Sequence, residues 1–189
     1  NQGAVLVSTG LGLGFRKLLV PASHSLMELF PWGSHVLLDP LYSNGVSSVV
    51  HDSPMRRSAK TAVIARTGIG LDSLRVCNVL SEYNCGKCEK CLRTRTMLAL
   101  LQATSPALQP LDDPKALRRV TLYTDSQYSF WADNHDYAES AGRQDIQREI
   151  GRLLKSFRVR KALRQLDEDL LGGAVARMKR VLRPSTGGH

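Results

Sequence analysis

The sequence predicts an α/β fold, with a partial parallel sheet flanked by helices, followed by a helical and basic C-terminal region. Three observations predict it. Short apolar strand candidates alternate with helical patterns along the first hundred residues. Four cysteines, three of them within seven residues, follow that alternation. Twelve of the 26 lysines and arginines then fall in residues 143–189, against five acidic residues there.

In chain order, residues 4–13 are small and apolar with Gly10, Gly12 and Gly14 at alternate positions. They read as a helix fraying at its end, with a buried strand as the other reading. Residues 16–20 (RKLLV), closed by Pro21, read as a short buried strand, and residues 25–30 as a turn of helix stopped by Pro31. Residues 46–51, rich in Val and Ser, supply a second strand candidate. Helix signals return over 55–66, where Ala59, Ala62, Val63 and Ala65 offer an apolar face and Gly68 a stop. This order of strand, helix, strand and helix points to a largely parallel sheet. Residues 89–102 read as a helix whose stripe of Leu92, Met97, Leu98, Leu100 and Leu101 faces the body. Three prolines mark 105–114 as a loop. Polar and aromatic residues gather between Tyr123 and Tyr137, where Trp131, Asn134 and His135 read as a packed cap. A long helix is expected over 144–171, with Ile146, Ile150, Leu153, Leu154, Phe157, Leu163 and Leu166 as its apolar positions. Gly172 and Gly173 interrupt it before a short basic helix over 174–182.

At 189 residues the chain can hold one core, or one core with a helical appendage. Hydrophobic residues make up 42% and charged residues 23%, and no apolar run approaches the roughly 20 residues that cross a bilayer. No membrane span is expected. The chain opens on Asn1 without the basic, apolar and cleavable pattern of a secretory signal, so reduced thiols and a cytoplasmic location are the expectation. A formal charge of +9 and a pI of 9.7 favour polyanionic partners. For the basic tail three readings stand: a solvated amphipathic helix, a contact with RNA or another nucleic acid, and docking on a membrane surface or partner helix. A homo-oligomer is left open.

Cys85-Gly86-Lys87-Cys88 has the form of a metal knuckle. Two residues between thiolates let both sulfurs reach one ion at about 2.3 Å, and glycine gives the turn its backbone freedom. Cys91 follows one helical turn later, at the start of a helix whose N-terminus favours thiolate. Cys77 completes a tetrahedron from the preceding loop. Four thiolates leave no open position, so Cys77, Cys85, Cys88 and Cys91 are expected to hold a structural zinc in a zinc-knuckle loop. An iron–sulfur cluster, disulfides and free core thiols are the other readings.

Residues 77–93 resemble the C-terminal part of the 7-cyano-7-deazaguanine synthase family, in which a cysteine, a short loop, Cys-Gly-x-Cys-x-x-Cys and an arginine bind zinc. The matching residues are Cys77, Cys85, Gly86, Cys88, Cys91 and Arg93. A closer resemblance is to uncharacterised bacterial members of the same ATP-pyrophosphatase superfamily, of adenine nucleotide alpha hydrolase-like type. It extends to the stretch from Phe30-Pro31-Trp32-Gly33-Ser34-His35 through Asp39 to Leu41, to Arg75-Val76-Cys77, and to the run from Asn84 to Arg93. It covers about residues 4–103. The resemblance implies an α/β protein that binds ATP, adenylates a small carboxylate or amide oxygen with release of pyrophosphate, and lets a nitrogen nucleophile displace AMP. The Ser-Gly-Gly-x-Asp-Ser phosphate loop of such ligases does not occur in this sequence. Gly10-Leu-Gly-Leu-Gly14 is no substitute, lacking the hydroxyl and acidic residues. The chain therefore reads as the zinc-bearing C-terminal portion over 1–104, with a mainly helical region over 105–189. These residues alone are expected to be inactive.

Candidate substrate-binding residues cluster in two places. Trp32, Ser34, His35 and Asp39 bring a stacking surface, a hydroxyl, an imidazole and a carboxylate close together, where ligands of open α/β sheets gather. His51 ends a strand, and Arg56 and Arg57 begin the next helix, where a phosphate or carboxylate can be met. A non-catalytic zinc-stabilised module that binds nucleic acid through its basic helices is the alternative reading of the whole chain.

Overall fold

The computed structural model describes residues 2–29, 32–78, 83–175 and 177–178. It is a mixed α/β structure with a two-stranded parallel sheet, and by contacts it divides into two compact units, Asn1–Gly70 and Leu71–His189. That division follows packing, whereas the expected boundary at 104 marks the end of a resemblance.

In the first unit, helix α1 (Gln2–Gly12) precedes strand β1 (Lys17–Pro21), which pairs in parallel with β2 (Ser48–Asp52) from Lys17↔Ser48 to Pro21↔Asp52. Helix is thus the reading of the first segment that holds. Gly10 explains part of the packing, since a Cβ there would lie 2.2 Å from the Leu18 side chain. Val7, Val20 and Val49 close a small core between helix and strands, with Leu11 and Leu18 against it. Period-two alternation leaves Leu19 and Val50 exposed on the opposite face.

The crossover between the strands carries two 3-10 turns, Leu26–Glu28 and Asp39–Tyr42; the first stands where a turn of helix is expected, and the second has no counterpart in the sequence reading. Phe30 and Pro31, the expected helix stop, lie outside the described residues. Helix α2 (Arg57–Thr67) ends at Gly68, whose φ of 72° suits a left-handed cap. Its expected apolar face buries only in part: Ala62 and Ala65 are half-buried, Ala59 and Val63 are exposed, and Ser58 is the helix's buried residue. Short alanines give that face little area to hide, so it does not control the helix's orientation.

In the second unit, α3 (Glu89–Leu100), a 3-10 turn (Pro114–Arg119), α4 (Asp125–Ser140) and α5 (Gln144–Leu171) surround a large core. Leu92, Met97, Leu117, Trp131, Ile146 and Ile150 are at its centre. The α4 helix was not anticipated. Its start is nevertheless written in the chain: Thr124 accepts from the Gln127 amide at 3.2 Å while Gln127 Oε1 accepts from the Thr124 amide at 3.3 Å, a reciprocal capping box. Gly142, at φ 68°, turns the chain into α5. The expected bounds of α5 hold, with Gly172 at φ 53° as its stop, but Leu163 and Leu166 are exposed rather than packed. Of the basic helix expected over 174–182, residues 176 and 179–182 lie outside the described residues. Among the described residues no helix is long and apolar enough to cross a membrane.

Candidate functional site

The four cysteines converge. Their sulfur atoms all lie within 4.8 Å of one another, with Cys77 Sγ 3.8 Å from Cys88 Sγ and Cys85 Sγ 4.0 Å from Cys91 Sγ. A tetrahedral ion with metal–sulfur bonds of about 2.3 Å requires sulfur–sulfur edges of about 3.8 Å. Two of the edges stand close to that spacing and the whole set within 4.8 Å, so the four thiols could hold one ion. A disulfide brings sulfurs to about 2.05 Å, and all four cysteines are free. An iron–sulfur cluster interposes several atoms and spreads its thiolates farther than a single ion does.

Local sequence explains the convergence. Gly86 sits at φ 69°, the left-handed conformation that lets the chain double back between Cys85 and Cys88, and the Cys88 amide donates to Cys85 Sγ at 3.3 Å. Cys88 is the N-cap of α3, and Cys91 lies in its first turn, fully buried. Two residues outside the cysteine pattern hold the rest. Asn84 Oδ1 accepts from the amides of Val76 and Cys77 at 3.0 and 3.2 Å, and its Nδ2 donates to the carbonyls of Leu74 and Ala107, both at 2.7 Å. All four of its hydrogen-bonding positions are used to place Cys77 beside the knuckle. Arg95 donates to the Gly86 carbonyl at 2.7 Å and through its other nitrogens to the Pro110 carbonyl. The sequence motif includes Asn84 without revealing that role, and nothing in the spacing marks Arg95.

Leu98 and Leu108, packed by Leu71, Leu74, Val76 and Ala103, wrap the sulfurs in hydrocarbon. Burial pushes the thiols of Cys88 and Cys91 up, and neighbouring thiols add to it. A cation among them would supply the opposing charge that thiolates need there. Arg93 lies outside this shell. It donates to Glu89 Oε1 at 2.7 Å and stacks over Phe130 at 4.7 Å, while Trp131 Nε1 donates to the same Glu89 oxygen at 2.9 Å. Arg93 thus ties α3 to α4. Trp131 and Asn134 are buried in that contact, as the packed-cap reading expects.

The substrate-binding candidates lie in the first unit. Asp39, 1% exposed, is their hub. Its Oδ2 accepts from Ser34 Oγ at 2.7 Å and pairs with His51 Nδ1 at 2.6 Å, while Oδ1 accepts from the His35 amide at 3.2 Å. Burial alone would raise this carboxyl's pKa. The bonds from His51, Ser34 and the His35 amide outweigh it and hold the group below the usual range. Asp39 is therefore an ionised acceptor at neutral pH, and His51 carries hydrogen on Nδ1. His51 Nε2 makes no hydrogen bond among the described residues.

His51, Ser34, His35 and Trp32 line one narrow cleft together with His24 and Glu28. His24 stands edge-on to Trp32 with ring centroids 5.8 Å apart. Burial first, then Arg57 and Lys60, push His24's pKa down against the pull of Glu28. His35 Nδ1 accepts from the Leu37 amide at 3.2 Å, which leaves its Nε2 as a donor. The loop sits close under α1: the Gly3 amide donates to the Gly33 carbonyl at 2.7 Å, and a Cβ on Gly3 would lie 2.6 Å from that oxygen. Arg56 is the N-cap of α2, and Arg57 reaches the Ser23 carbonyl at 3.4 Å; neither lines the cleft. His24 and Lys60, whose ammonium donates to the Ala22 carbonyl at 2.6 Å, had no signal in the sequence.

The serine does not form a serine–histidine relay. Ser34 and His51 both engage the same oxygen of Asp39, so the hydroxyl faces the carboxylate and not the imidazole. What the arrangement can supply is an oriented imidazole able to accept a proton at Nε2.

Comparison with known proteins finds no matching family model, no matching curated protein and no matching solved structure.

Proposed function

We propose that Cys77, Cys85, Cys88 and Cys91 hold one structural zinc ion, and that the chain is the zinc-bearing part of a 7-cyano-7-deazaguanine synthase-like ligase acting on a small carboxylate. The observation that carries the metal reading is the set of four sulfurs within 4.8 Å of one another. With all four positions filled by thiolates, zinc would supply cross-linking and no Lewis acidity to a substrate. It would fasten the segment before Cys77, the knuckle and the first turn of α3 to one point.

Two features of the first unit support the ligase reading. Parallel sheets are normally covered on both faces, and Leu19 and Val50 here are exposed, which leaves one apolar face for further helices of an α/β layer to cover. The Asp39–His51 pair stands at the C-terminal end of β2, the end where ligands of parallel sheets collect. In that setting Asp39 positions His51, His51 Nε2 accepts a proton from the attacking nitrogen, and the half-exposed Trp32 offers a flat apolar wall. Adenylation is not assigned to these residues, because the sequence holds no phosphate loop of the required form.

The nucleic-acid reading has less support. Arg118 and Arg152 are paired with Glu149, Arg143 with Asp145 and Lys161 with Asp125, so part of the basic excess is neutralised within the chain.

Elemental analysis of the purified chain should return one equivalent of zinc, and cobalt substitution should give the intense charge-transfer bands of a tetrathiolate. Sub-stoichiometric metal would remove the first half of the proposal. For the second half, a version carrying a phosphate loop should exchange pyrophosphate into ATP in the presence of a small carboxylate; no exchange across a carboxylate panel counts against it. The nucleic-acid reading is tested by Arg148, Arg158 and Arg164→Gln in one chain, since deleting 143–189 would remove Ile146, Ile150 and Phe157 from the core. Unchanged RNA affinity in that variant would dismiss it.

A further inference from the structure

Helix α5 changes character along its length. As far as Phe157 its inward stripe of Ile146, Ile150, Leu153, Leu154 and Phe157 is buried. Phe157 is the last buried residue, and from 158 to 171 every position is exposed or half-buried. A solvated helix end should be polar, yet Val159, Leu163, Leu166 and Leu170 are 49%, 60%, 53% and 76% exposed. Their spacing of four, three and four is that of a coiled-coil seam. At about 100° per residue the seam lies roughly 155° around the helix from the buried stripe, so it faces away from the unit's own core. The same side of the helix's first half carries Arg148, Arg152 and Lys155, the polar surface that solvent calls for.

We propose that this seam pairs with the same seam on a second copy of this chain, as a short antiparallel helix pair about a two-fold axis. The apolar seam is self-complementary in that arrangement, and the order of charges favours it over a parallel one. An axis passing between Arg164 and Gln165 sets Val159 against Leu170 and Leu163 against Leu166, each contact occurring twice. The charges fall in the same order. Arg158, Arg160, Lys161 and Arg164 occupy one half of the segment, and Asp167, Glu168 and Asp169 the other. Antiparallel pairing lays the basic half of each copy along the acidic half of its mate, whereas parallel pairing puts like charges together. Lys161 also contacts Asp125 within its own chain, and Arg164 makes no ion pair among the described residues.

The four exposed side chains amount to on the order of 400–500 Å² per copy, short of the about 800 Å² per partner of a standard interface. The pairing is accordingly weak, and it depends on concentration and salt.

Sedimentation of the zinc-loaded full chain from about 1 µM to 1 mM should show a monomer–dimer equilibrium that weakens as salt rises. Leu163→Glu, at an exposed position, should raise the dissociation constant at least tenfold while the far-ultraviolet dichroism and melting temperature stay unchanged. Orientation is read by cross-linking. A mixture of Val159→Cys and Leu170→Cys proteins should form a disulfide-linked dimer, and neither alone should, because antiparallel pairing holds like positions roughly 16 Å apart along the axis. Self-linking of each alone would mean parallel pairing and overturn the proposal. So would a monomer at every concentration, including one that binds anionic vesicles through the seam, or a dimer that Leu163→Glu leaves intact.

Discussion

The two compact units are stabilised by different means. Leu71–His189 has a core of thirteen buried residues, Trp131 among them, and a second cluster around four sulfurs. Asn1–Gly70 has three buried valines and a hydrogen-bonded network around the buried carboxylate of Asp39. One unit depends on hydrocarbon and metal-ready thiols, the other on polar geometry. Perturbations that act on only one of these should therefore separate the units, and the size of each response measures how far the contrast goes.

The largest response should follow loss of the metal. Structural zinc in small domains binds with apparent free energies of about 10–16 kcal/mol, and part of that is folding energy. Cys91→Ser should abolish stoichiometric zinc binding and lower the melting temperature of the second unit by more than about 10 °C. Hydrogen exchange should then show residues 74–108 losing protection first. Strong chelation of the wild-type chain should reproduce the effect, and protection of β1 and β2 should not change. A chelated chain with undiminished protection around Asn84 would show that hydrocarbon alone holds the loop.

Trp131→Ala should come next. Its ring is fully buried, and truncation leaves a cavity as well as an unshared Glu89 carboxylate, for about 3–5 kcal/mol. In the first unit, Val49→Ala removes far less hydrocarbon and should cost about 2 kcal/mol. Denaturant melts of the two variants, followed by exchange at each unit, would compare the cores directly.

How much of this was legible in the sequence follows the same contrast. The thiol cluster was legible because a metal site compresses its geometry into local spacing: two residues between Cys85 and Cys88, then one helical turn to Cys91. Helix α5 is legible from its apolar spacing and the glycines that stop it, β1 from an apolar run closed by Pro21, and β2 from its valines and serines. The Asp39 hub was half legible. Trp32, Ser34, His35 and Asp39 lie within eight residues and could be grouped, but His51 joins them only through the parallel pairing of β1 and β2, which no local pattern specifies. His24 enters the cleft by the same long-range route. The α4 helix was missed because aromatic and polar residues obscured its period, although Thr124 and Gln127 form its capping box. The seven apolar positions of α5 do not announce in the sequence that they form two stripes, the buried one ending at Phe157 and an exposed one carrying Leu163 and Leu166.

Asp39 sharpens the contrast from the other side. Replacing it with Asn keeps acceptor capacity but loses the charge, and should cost the first unit about 1–3 kcal/mol at neutral pH. Asp39's pKa is lowered on folding, so its contribution is complete above the ordinary carboxylate value of 3.8 and disappears as pH falls through the lowered folded value. Wild-type stability of the first unit should therefore fall below about pH 4. In Asp39→Asn that fall should be largely absent. Nitrogen NMR should find hydrogen on His51 Nδ1 in the wild type and a mixture of tautomers in the variant. An Nδ1 hydrogen that persists in Asp39→Asn would mean that Asp39 does not set the ring.

Glu149 provides the smallest test, in the opposite unit. The Arg118 guanidinium, and after it Arg152, hold its carboxyl down at about 2 against an ordinary 4.5. Both guanidinium groups are more than half exposed, so salt screens them and the effect on stability is modest. The sign is again that of a lowered carboxylate: the contribution is present above 4.5 and is lost between 4.5 and about 2. Glu149→Gln should flatten acid unfolding of the second unit across that window, and about 0.5 M salt should shrink the difference between variant and wild type. Because the hydrocarbon core is indifferent to protons, what remains of the second unit at pH 3 in Glu149→Gln measures that core together with the thiol centre. If zinc is then released by acid through protonation of the thiolates, a further drop should appear in metal-loaded protein and be absent from the apo chain. The difference between those two curves separates the sulfur contribution from the hydrocarbon one.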